Sequence, residues 1–107
     1  MKHIKKRFLY KYKQFKIMEE FRKILFMGEN FGVIFNYSEV IVINGDKVNY
    51  FDARSIKDLV TIGLLMEKNN IDENVRNILI EQINDLQIKC EDYIDKNKNN
   101  FYVKPDE

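Results

Sequence analysis

The sequence predicts an α+β fold: an N-terminal helix, a three-stranded antiparallel β-meander and two C-terminal helices. Three observations carry that prediction. Residues 2–27 contain neither glycine nor proline and few β-branched residues, which favours helix. Residues 31–52 are dense in valine, isoleucine, phenylalanine and tyrosine and contain an Asn-Gly step, the strongest short-range hairpin signal. From Ser55 onward apolar residues recur at intervals of three and four, the period of an amphipathic helix.

The first element carries two stripes. At ~100° per residue, Met1, Ile4, Phe8, Tyr12 and Phe15 lie along one side of a helix. Ile17, Phe21, Ile24 and Leu25 centre on nearly the opposite side. One straight helix cannot aim both stripes at one core, so a break is expected near residues 14–18, or two different partners. Gly28 is placed to end the helix as a C-cap.

In the strand region a two-residue Asn44-Gly45 loop would pair Ile43 with Asp46 and Ile41 with Val48. Ile34, Ile41, Ile43, Val48 and Tyr50 then share one face of the sheet. Phe31, Val33, Phe35, Val40 and Val42 share the other. Both faces are apolar, so a single helical layer cannot cover the sheet, and a second layer or a second subunit is expected.

Ser55 and Asp58 stand at capping-box spacing before the next helix, in which Ile56, Leu59, Val60, Gly63 and Met66 follow helical spacing. The last helix is expected over about residues 72–96. Leu79, Ile83, Leu86, Cys90 and Tyr93 form its apolar stripe, with Val75 as an extension. Glu81, Asp85, Asp92 and Asp95 fall opposite, with Ile88 in their midst.

A chain of 107 residues is one domain's worth, here with a basic arm over about residues 1–16 and a polar tail over about residues 97–107. Residues 1–23 hold nine Lys/Arg and two Glu, and the remainder holds nine basic and fifteen acidic residues. The near-neutral total therefore conceals a basic arm on an acidic body. No membrane span and no secretory leader are expected, and the location expected is cytoplasmic. One cysteine and one histidine exclude a disulfide framework and a Cys/His metal site, and no cofactor is expected. The four glycines make no phosphate-cradling motif. His3 sits in the basic arm, and Cys90 sits on an apolar stripe, so neither is placed for catalysis.

These exclusions point to a non-enzymatic binding protein that regulates or inhibits a macromolecular partner. Fourteen Ile, fourteen Lys and twelve Asn against single Ala and Pro residues reflect AT-rich codons, as in a phage or mobile element of a low-GC host. Two surfaces are candidates. Glu81, Asp85, Ile88, Asp92 and Asp95 make an apolar centre in an acidic rim, suited to a protein partner. Lys5, Lys6, Arg7, Lys11 and Lys13, interleaved with Phe8, Tyr10, Tyr12 and Phe15, suit nucleic acid, where cations meet phosphates and rings stack on bases. The two-faced sheet adds a third expectation, a homodimer or a stable hetero-complex.

Overall fold

The computed structural model describes residues 21–97. They form a four-stranded antiparallel sheet followed by two helices. The strands are β1 (Arg22–Met27), β2 (Phe31–Asn36), β3 (Glu39–Asn44) and β4 (Lys47–Asp52), in the order β1-β2-β3-β4. The helices are α1 (Ile56–Lys68) and α2 (Glu73–Lys96).

The predicted N-terminal helix and three-stranded meander are therefore wrong where they can be compared. Residues 22–27 form an additional strand, not the end of a helix, and Gly28 opens a hairpin turn in which its N–H donates to the Phe31 carbonyl at 2.8 Å. Residues 2–20 of the predicted helix, with the basic arm, lie outside the described residues. The physical cause is tertiary. Without β1, the ladder groups of β2 would face solvent along a whole edge. Pairing Arg22 with Asn36, Ile24 with Ile34, Phe26 with Val33 and Met27 with Gly32 satisfies them. A bulge at Leu25 turns both Leu25 and Phe26 toward the core, while Ile24 and Met27 face outward. The bulge erases the alternation that would have marked a strand.

The β3–β4 register also differs from the predicted one. Ile43 pairs with Val48, Ile41 with Tyr50 and Asn44 with Lys47, so the loop is Gly45-Asp46. Gly45 supplies the positive φ of 65° at the first loop position and donates its N–H to the Asn30 carbonyl at 2.7 Å. Asn44 stays in the strand, where its Oδ1 accepts from Asn69 Nδ2 at 3.3 Å. The slip is two residues, so the predicted division of side chains between faces survives.

Phe31, Val33, Phe35, Val40 and Val42 are buried on the inner face against Ile62 and Met66 of α1 and Leu79, Ile83 and Cys90 of α2. Ser55 caps α1, its Oγ accepting from Asp58 N at 3.2 Å. The Asp58 carboxylate accepts from Asp52 N at 2.7 Å and so ties the helix start to the end of β4. α1 ends in a Schellman arrangement: Asn70 takes φ 61°, Asn70 N donates to Glu67 O, and Ile71 N donates to Met66 O. The buried side of α1 is Ile62 and Met66, with Leu59 and Leu65 partly covered. Of the expected stripe, Met66 is buried and Leu59 partly covered, whereas Ile56 and Val60 are exposed, as is Leu64 one turn on.

Candidate protein-binding surfaces

Side-chain direction on α2 is fixed by its buried stripe. Leu79, Ile83 and Cys90 are buried and Leu86 and Tyr93 are partly covered, as the spacing predicts, although Val75 is exposed. The opposite side therefore faces solvent. Glu81, Asp85, Ile88, Asp92 and Asp95 are all exposed there, within one stripe along the helix. Ile88 is 65% exposed. Asp92 meets Lys96 at 3.0 Å, one turn on, an exposed pair of small energetic weight. A shallow groove between β1 and α2 borders this surface and is lined by Lys23, Leu25, Gln82, Asp85, Leu86 and Lys89.

The sequence did not announce Gln87, which is buried in the same helix between Ile83 and Cys90. Its Nε2 donates to Glu91 Oε1 at 3.0 Å, and its Oε1 is buried without a hydrogen-bond partner among the described residues. Such a group costs about 1–3 kcal/mol relative to a satisfied one.

The outer sheet face is the second surface. The register sets three rows across the four strands. Arg22, Asn36, Glu39 and Asp52 make a polar row at one end. Ile24, Ile34, Ile41 and Tyr50 make the middle row, and Met27, Gly32, Ile43 and Val48 the last. Ile24, Met27, Val48 and Tyr50 are exposed and Ile34, Ile41 and Ile43 half-buried. Gly32 leaves room for the Met27 side chain: a Cβ there would lie 3.0 Å from the Met27 sulfur, which would have to shift. In the polar row Arg22 Nε donates to Asn36 Oδ1 at 3.2 Å. The Arg54 backbone N–H, at 2.8 Å, and its guanidinium, at 3.2 Å, hold the Asp52 carboxyl below its ordinary pKa.

Among the described residues, the one cysteine is Cys90. Cys90 is buried, and desolvation pushes its thiol pKa up; Ser38, whose Oγ is 3.8 Å from the sulfur, opposes the shift, and the Glu91 charge adds to it. A protonated, inaccessible thiol is a poor nucleophile. Among the described residues no group of three or more His, Cys, Asp or Glu side chains is placed to hold a metal ion, and no helix is long and apolar enough to cross a membrane. Lys5, Lys6, Arg7, Lys11 and Lys13, like His3, lie outside the described residues. No protein-family model, no curated protein and no solved structure matches the chain.

Proposed function

We propose that this chain is a non-enzymatic binding protein that regulates or inhibits a macromolecular partner through the exposed side of α2. The observation that carries the reading is Ile88, a large apolar residue standing 65% exposed among Glu81, Asp85, Asp92 and Asp95. Single exposed apolar residues are ordinary, but one ringed by four carboxylates matches the anatomy of an interface, in which binding energy concentrates at an apolar anchor inside a polar rim. The matching partner surface is basic with an apolar recess, the kind found in a protein groove built for a nucleic-acid backbone. A row of carboxylates would occupy such a groove in place of phosphates. The composition and the single buried cysteine fit a cytoplasmic protein of a phage or mobile element.

The test is Ile88→Asp. Affinity for a partner recovered from host lysate should fall by at least about 1 kcal/mol. Stability should move by no more than about 0.5 kcal/mol, as at other exposed positions. A variant that melts normally and binds that partner unchanged would remove α2 from the functional account. A second reading, nucleic-acid binding by the arm, is favoured by seven cations and no acid within residues 1–16. It requires affinity for generic duplex that falls steeply with salt.

A further inference from the structure

We infer that the outer face of the sheet is the docking site for the chain's own N-terminal segment, residues 1–16, which lies across the Ile24–Ile34–Ile41–Tyr50 and Met27–Gly32–Ile43–Val48 rows. Two apolar surfaces in one chain each call for a cover. One is the sheet face, where Ile24, Met27, Val48 and Tyr50 stand exposed among the described residues. The other is the stripe of Met1, Ile4, Phe8, Tyr12 and Phe15.

Their dimensions agree. A helix from Met1 to Phe15 is about 21 Å long and about 10 Å wide. A six-residue strand is about 20 Å long, and four strands spaced by about 4.8 Å span about 14 Å. Charge agrees as well. Residues 1–16 carry seven Lys/Arg and no acid, whereas residues 24–107 carry nine basic and fifteen acidic residues. Glu39 and Asp52 close one end of the face, and Glu29 and Asp46 stand exposed in the hairpin turns at the other. Arg22 is the one basic residue that the register puts on this face.

Connectivity favours this occupant over a second copy. The segment joins the sheet at Phe21, which is anchored beside the polar row: its carbonyl accepts from Tyr37 N at 3.0 Å, and its ring packs edge-on against Tyr37 and Tyr93. The sequence period breaks at residues 14–18, so the link to Phe21 is where a docked arm would have to reverse. Tethered so closely, the arm is present at an effective concentration on the order of mM, which a free second copy at ordinary concentration does not match. Docking would also resolve the opposed stripes, since Phe21 and Leu25 point into the core while the earlier residues cover the opposite side of the sheet.

The chain has no tryptophan, so Phe8→Trp introduces a single reporter into the full-length protein. Its emission should be blue-shifted relative to indole in water, independent of protein concentration, and should move to the red when Ile41→Lys is added. Should the lysine variant fail to fold, a nitroxide on Val48→Cys decides the matter without it. Amide signals of residues 4–15 should broaden within one molecule, and not when spin-labelled protein is mixed with isotope-labelled protein that lacks the nitroxide. Water-like emission, or absent intramolecular broadening, overturns the inference. Broadening seen only in the mixed sample overturns it too, and assigns the face to a second copy.

Discussion

Tyr37 and Ser38 form the two-residue turn between β2 and β3, and both have positive φ, 53° and 74°. Neither side chain favours that region, which costs an L-residue roughly 1–2 kcal/mol. The turn persists because its surroundings hold it. Phe21 packs on Tyr37, Ala53 N donates to the Ser38 carbonyl at 3.0 Å, and Ser38 Oγ rests 3.8 Å from the Cys90 sulfur. Ser38→Gly should therefore raise stability by up to about 1 kcal/mol, since relief of the strain outweighs removal of a weak hydroxyl–sulfur interaction. Chemical denaturation measures it, and a fall in stability would show that the interaction with Cys90 matters more than the strain. Cys90 itself makes a pH prediction. Its folded-state pKa is raised, chiefly by desolvation, so the folded protein holds the proton longer than the unfolded chain. Its contribution is complete below the ordinary thiol value of about 8.5 and is lost as pH rises through the folded value. Cys90→Ala should flatten the decline in stability above that pH, and an unchanged slope would refute the assignment.

At the scale of elements, β1 is where sequence and structure part. Ile24 and Leu25 read as neighbours on one helical stripe, yet in the strand they face opposite sides. Leu25→Ala should cost at least about 1 kcal/mol more than Ile24→Ala, because Leu25 packs against the core and Ile24 is exposed. Equal costs would argue against the bulged strand. The bulge also explains why the strand was illegible. Period-two alternation identifies strands, and two successive inward residues break it, while Arg, Lys, Leu and Met are good helix formers. The helices were legible because Leu79, Ile83, Cys90 and their opposite carboxylates keep one period over many residues. The same regularity placed Ile88 outward. It gave no warning of Gln87, whose burial depends on what lies across from it. It also grouped Ile56 and Val60 of α1 with the covered Leu59 and Met66, because they are as apolar as the residues that are covered. The hairpin register differed where contacts distant in sequence meet the turn: Asn44 Oδ1 accepts from Asn69 Nδ2 and the Gly45 N–H donates to the Asn30 carbonyl.

For the molecule as a whole, a docked arm separates charge. The acidic side of α2 lies behind the inner sheet face, and the basic arm would lie over the outer one. The basic residues then have two separable roles. At ~100° per residue, Lys5 and Lys11 flank the arm's apolar stripe at about 60° to either side, within reach of the carboxylates that rim the sheet. Lys6, Arg7 and Lys13 lie farther round and would face solvent. Replacing Lys5 and Lys11 by Gln should loosen the docked arm at low ionic strength, shifting the indole emission of the Phe8→Trp protein to the red. The shift should shrink near 1 M salt, where the Debye length is about 3 Å and the flanking attraction is screened in both proteins. Replacing Lys6, Arg7 and Lys13 by Gln should leave that emission unchanged. It should instead lower any affinity for generic duplex, and the salt slope should fall by about 0.9 for each phosphate contact removed. If both sets of substitutions moved the emission equally, the arm's orientation would be wrong. If the solvent-facing set left duplex binding and its salt slope intact, nucleic-acid recognition by the arm would be ruled out, and the acidic surface around Ile88 would carry the functional account alone.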